Sequence, residues 1–138
     1  MTEADRRKEI QANWDRAQDA LASAKVLLEN GHADASAARS YYAAFYAACA
    51  LLLSEGMEFS KHGGVLSAIH KHFVHSGRLP KEEGHILNRL FELRSLGDYG
   101  ETKHVPEADA KAAITAARKF VDSCAELLRH KGINGIAT

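Results

Sequence analysis

The sequence predicts an all-α protein, an antiparallel up-and-down bundle of about five helices, on three observations. First, Tyr41 to Leu53 runs thirteen residues without a charge, a Pro or a Gly, and its alanines and leucines are strong helix formers. Second, apolar residues recur at three- and four-residue spacing elsewhere, as in Ile10, Trp14, Ala17, Leu21, Ala24 and Leu28, which makes one buried stripe per helix. Third, Gly and Pro break the chain into segments with short connections, so that successive helices run antiparallel.

The central stretch is apolar on every face, which requires burial on all sides or a membrane. Thirteen helical residues span only about 20 Å, too short for a hydrocarbon layer of about 30 Å. We therefore read a soluble, cytoplasmic protein with no membrane association. The 138 residues suit a single domain over 1–138, with 132–138 as a frayed tail. Eighteen basic and eighteen acidic residues balance, which argues against non-specific nucleic-acid binding by the whole surface. Cys49 and Cys124 lie in apolar helical patterns and read as buried thiols of a reducing compartment. The charged N-terminus lacks the apolar core of a signal peptide.

The first helix runs from about residue 3 to 30, opened by a Thr2/Asp5 capping pair and ended by Asn30-Gly31. The second begins near Asp34 or Ser36 and carries the apolar stretch to Leu53. Its Arg39, Tyr42 and Tyr46 share one face. The third runs from about Lys61 to Ser76, with Ser60 as its cap and Gly77 as its stop. From Phe59 to Lys81 there is no acidic residue, while four lysines and arginines and four histidines are present. Pro80 opens the fourth helix, with Glu82 and Glu83 in the turn where the helix dipole favours acids. Either Gly97 or Gly100 ends it. Pro106 opens the fifth, which closes on Arg129, His130, Lys131 and the cap Gly132.

Three constellations could carry chemistry. Arg94 and Asp98, four apart on the fourth helix, either form a structural ion pair or hold a guanidinium ready for a phosphate, with Tyr99 beside it. Arg39 with Tyr41, Tyr42 and Tyr46 offers interhelical hydrogen bonds, or a second cation and stacking surfaces. Lys61-His62 stands at a helix N-terminus, either an exposed capping turn or a phosphate site. His72 and His75 share a face, but among the histidines there is no helical His-x3-His pair or His-Glu-x-x-His motif, so no metal is expected. No cofactor is implied.

Arg39-Ser-Tyr-Tyr-Ala-Ala-Phe-Tyr-Ala-Ala, Ser60-Lys-His-Gly-Gly-Val and Arg94-Ser-Leu-Gly-Asp-Tyr99, in this order, resemble the HEPN domain, in its small stand-alone prokaryotic branch. The resemblance covers roughly residues 10 to 130. It implies a dimer-forming helical bundle, nucleotide or RNA binding, and pairing with a minimal nucleotidyltransferase, often as toxin and antitoxin. Many such proteins are metal-independent RNases whose signature is an Arg followed after four to six residues by His. Here four residues separate Arg94 from Tyr99, which stands where that His is expected, and the next histidine is His104. The expected ligand-binding set is Arg39, Tyr42, Lys61, His62, Arg94, Asp98 and Tyr99. An RNase would use Arg94 with Tyr99 or His104. The third reading is an interaction subunit whose arginines only lock helices.

Overall fold

The computed structural model describes residues 2–99 and 102–136. Among these residues there are five α-helices and no strand: α1 (Glu3–Glu29), α2 (Ala33–Leu53), α3 (His62–Ile69), α4 (Lys81–Gly97) and α5 (Glu107–His130). They form the antiparallel bundle the sequence predicts, with α2 packed against all four of the others. Among the described residues, no helix is long and apolar enough to cross a membrane.

Local chemistry sets the helix ends. Thr2 and Asp5 form a reciprocal capping box, each side chain accepting from the other's backbone N–H, with Asp in the place usually held by Glu or Gln. Gly31 follows α1 at φ 81°, a left-handed conformation that costs a residue without Cβ little. Pro80 and Pro106 each lie one residue before the helix they introduce, with extended ψ. Gly97 closes α4; the alternative end, Gly100, lies outside the described residues.

Four expectations are corrected. α2 is not enclosed all round. Tyr41, Ala44, Ala48, Leu51 and Leu52 are buried, whereas Tyr42, Phe45, Tyr46 and Cys49 are only half-buried. At spacings of three, four and seven, these four form one open stripe. Ser60 does not cap α3: Lys61 is the N-cap, in extended backbone, and no side chain bonds the first turn. The third helix does not stay α-helical either, because a π turn occupies His70–Val74. The stretch read as a frayed tail carries a buried Ile136, whose carbonyl accepts from Arg129 Nε at 3.0 Å.

Away from the open stripe, Glu55 joins three elements. It accepts from both guanidinium nitrogens of Arg78 and from Lys131 Nζ, and the Arg78 guanidinium also lies 4.0 Å from the Phe73 ring centre. Cys49 and Cys124 are free thiols, and burial pushes Cys49 up to about 12, leaving it protonated and inert.

Candidate functional site

Charged and imidazole groups from three helices meet on the open stripe of α2. Tyr42 is the common platform. Arg39 Cζ lies 5.0 Å from its ring centre, one turn before it on α2. Arg94 Cζ comes from α4 to 5.7 Å. The His62 ring, from the first residue of α3, stands edge-on at 5.7 Å. Both guanidiniums are within cation–π reach of one ring. Two guanidiniums drawn to one ring make this part of the surface locally basic.

His62 is built in on two further sides. Phe45 stacks on it with ring centres 4.3 Å apart at 16°, and Tyr41 Oη is hydrogen-bonded to its Nδ1 at 2.8 Å. Tyr41 is fully buried and packs edge-on against Phe91 of α4 at 5.5 Å. A buried hydroxyl requires a partner, and His62 supplies it. Burial, and then the nearby Arg94 charge, hold the His62 imidazole below its ordinary range. Burial drives the Tyr41 hydroxyl well above its usual 10, against the pull of Arg94. At neutral pH the pair is therefore an uncharged imidazole held by a protonated phenol.

Arg94 is 29% exposed and approaches Asp98 at 3.7 Å through Nε, while the Asp98 carboxylate is 61% exposed. That distance exceeds hydrogen-bond range, so the ion pair is loose and the outer guanidinium nitrogens keep their donor capacity. Lys61 is exposed and immediately precedes His62 at a helix start whose first N–H groups receive no side-chain cap.

Tyr99 and His104 are placed differently. Tyr99 lies beyond the end of α4, is 64% exposed and is met by Lys103 Nζ at 5.9 Å. His104 Nδ1 is 2.8 Å from Asp34 Oδ2, and the other Asp34 oxygen accepts the Val105 N–H at 2.6 Å. Asp34 thus ties the α4–α5 connection to the start of α2, and His104 serves that tie. These two bonds, the backbone one first, hold the Asp34 carboxyl below its usual value.

Sequence reasoning placed His62 with Lys61 as part of a helix start but missed its bond to Tyr41, twenty-one residues away. It also missed Phe45 and Phe91 as walls, and Arg16, which lies 5.8 Å from the Tyr46 ring centre. The available signal was the buried tyrosine hydroxyl, which had to find a partner.

The fold and this face define a small helical bundle with a cationic, aromatic-lined surface. The chain matches the HEPN domain over residues 10–128 and belongs to that family. It is 44% identical over 113 residues to a UPF0332 protein of Thermotoga maritima, covering 82% of this chain and 86% of that one. It is 37% identical over 125 residues to a Methanocaldococcus jannaschii protein named Putative toxin MJ0605, covering 91% and 92%. A second protein of that organism, named Putative toxin MJ0142, is 26% identical over 127 residues, covering 92% and 86%.

Proposed function

We propose that the Tyr42 face binds the phosphate of a nucleotide or of RNA, and that the protein is the toxin-like member of a pair with a minimal nucleotidyltransferase. The observation that carries this reading is the meeting of Arg39 and Arg94, from different helices, on one half-exposed tyrosine ring. Both cations are borne on that ring, and guanidinium forks match phosphate oxygens bidentately. Lys61 and the uncapped start of α3 add a cation and N–H donors beside His62. The names of the two Methanocaldococcus relatives support a toxin-like role. The half-exposed stripe Tyr42, Phe45, Tyr46 and Cys49 suits a homodimer in which a second copy covers the aromatic rings and walls the anion site.

The test is RNA and nucleotide binding by Arg94→Ala and Arg94→Met. A lost charge-assisted bond of about 1.5–3 kcal/mol corresponds to roughly 10- to 100-fold weaker binding. Folded variants that bind as tightly as the parent would leave the interaction-subunit reading, in which the arginines only lock helices.

A second reading, metal-independent RNA cleavage, is favoured by the state of His62 rather than by Tyr99 or His104. In the tautomer whose Nδ1–H donates to Tyr41 Oη, Nε2 of the uncharged imidazole keeps a free lone pair that can take the proton of a ribose 2′-hydroxyl. The 2′-oxygen then attacks phosphorus, the 5′-oxygen leaves and takes a proton from solvent, and a 2′,3′-cyclic phosphate remains. Arg94 would stabilise the charge that develops on the phosphoryl oxygens. Cleavage by purified protein in chelator, lost in His62→Gln while RNA binding persists, is the expected result. Binding without cleavage by the parent protein would remove this reading and leave the first.

A further inference from the structure

The acid-free segment between Phe59 and Lys81 is only partly used by the Tyr42 face, and the π turn gives its remainder a definite shape. In an uninterrupted α-helix, residues five apart are about 140° apart around the axis. The π turn instead bonds His75 N–H to the His70 carbonyl at 2.8 Å, a full turn of five residues. This brings His75 beside His70, with ring centres 6.5 Å apart and the rings tilted at 51°. The pairing expected from α-helical spacing, His72 with His75, is replaced by this one.

α4 approaches closely enough to complete the site. Gly84 faces the His70 ring, and a Cβ there would lie 2.8 Å from His70 Cε1. Asn88 Oδ1, one turn further, is 3.0 Å from His70 Nε2. The result is a hollow of about 440 Å³ lined by His70, Val74, His75, Lys81, His85 and Asn88. An adjoining hollow of about 580 Å³ shares His70, His75 and Asn88 and adds Lys71 and Ser67. Neither lining contains a carboxylate.

The acids of α4 have partners of their own, although Glu82 and Asp109 share a further hollow with His85 on its α5 side. Glu82 pairs with Lys119 at 3.3 Å, Glu83 is buried and accepts from Ser123, and Glu92 meets Arg89. In a chain of zero formal net charge, two lysines and three imidazoles shared between two adjoining hollows without a carboxylate are a local concentration of basic groups. A metal ion fits this arrangement poorly. His70 Nε2 is occupied by Asn88, and among the described residues no three His, Cys, Asp or Glu side chains converge on one point. Donors spread along a trough suit an extended anion.

We propose that the two adjoining hollows beside the π turn and α4 form a second anion site, which takes a chain of phosphate groups along Lys71, His75, Lys81 and His85. Histidine is the side chain whose charge changes between pH 5 and 8, so occupancy strengthens as pH falls. His70 positions the site through Asn88 and Gly84 and is left unaltered in the test.

The experiment titrates the full chain with inorganic tripolyphosphate, and separately with a short single-stranded RNA, at about pH 6 and about pH 7.5. The parent protein is expected to bind roughly tenfold more tightly at the lower pH, and the RNA salt slope to steepen by about one. His75→Gln with His85→Gln should remove most of that gain, whereas Arg94→Ala should keep it. A gain with RNA alone identifies nucleic acid as the ligand, and a gain with tripolyphosphate alone identifies a small polyphosphate. Equal affinity at the two pH values with both probes, or a gain that survives the double histidine substitution, overturns the proposal. A gain abolished by Arg94→Ala assigns the pH effect to the Tyr42 face and overturns it equally.

Discussion

Replacing Tyr41 with Phe isolates the contact that fixes His62. The ring is fully buried and keeps its packing against Phe91, Phe45 and Tyr42 at 5.5, 5.9 and 5.3 Å. What is lost is one hydrogen bond at 2.8 Å. A neutral bond contributes about 0.5–1.5 kcal/mol net, and a buried group left without a partner costs about 1–3 kcal/mol. His62 is half-buried and reaches some water, so the total should fall near 1–1.5 kcal/mol. For a chain of this size that lowers Tm by roughly 3–5 °C. The assay is urea denaturation of Tyr41→Phe, His62→Gln and the double variant. The two losses should overlap by about 1 kcal/mol if the residues are coupled through this bond. Single losses that add to within about 0.3 kcal/mol would show that the two side chains do not share a bond, and the orientation of the imidazole would need another cause.

Three further outcomes follow from the packing. Glu55, with its carboxylate 19% exposed, has an ordinary value of 4.5 but is held at about 2, first by the Arg78 hydrogen bonds and then by Lys131. Because the folded-state value is depressed, its contribution is complete above about pH 4.5 and is lost as pH falls toward 2. At full strength that is about 3 kcal/mol, reduced to about 2 by the partly exposed Arg78, and Glu55→Gln should flatten this part of the acid-stability curve measured by circular dichroism. Gly84→Ala drives a methyl into His70 and Val74, at 2.8 and 3.2 Å, and should destabilise by about 1–2 kcal/mol in urea despite alanine's better helix propensity; a gain in stability would refute the close approach. Asp34→Asn weakens the tie to His104 and Val105, and hydrogen exchange at the Val105 amide should quicken while RNA binding stays at the parent level. Weakened binding would place the α4–α5 connection in the site.

The bundle was legible because its signals are local. Thr2 with Asp5, Pro80 and Pro106 with acids behind them, and Gly31 and Gly132 at helix ends each act within one turn. The uniform apolarity of the central stretch misled in one respect. It gives no sign of which side neighbours leave uncovered, since Tyr42 and Tyr41 are adjacent tyrosines and only one is sealed. The difference arises from where α3 and α4 lie. The π turn at His70–Val74 was equally invisible, since no residue pattern along the chain marks it, and neither does the close approach of Gly84 to His70.

The candidate site was partly legible for the same reason. Arg39, Tyr42 and Arg94 could be placed on helix faces by counting, and the structure brings those faces together. The choice among histidines could not be made by counting. A motif measured along the chain from Arg94 leads to Tyr99 and then His104, whereas the imidazole beside Tyr42 comes from thirty-two residues upstream. What selects His62 is the buried Tyr41 hydroxyl, which has few ways to be satisfied inside an apolar helix pair. Once His62 satisfies it, the ring cannot turn without losing both that bond and the Phe45 stack. The ring is therefore held in place before any ligand arrives. A ligand phosphate would then meet two guanidiniums and an imidazole whose ordering cost has already been met by the core, and for this reason loss of the phenolic hydroxyl should weaken binding although Tyr41 itself is buried beneath the face.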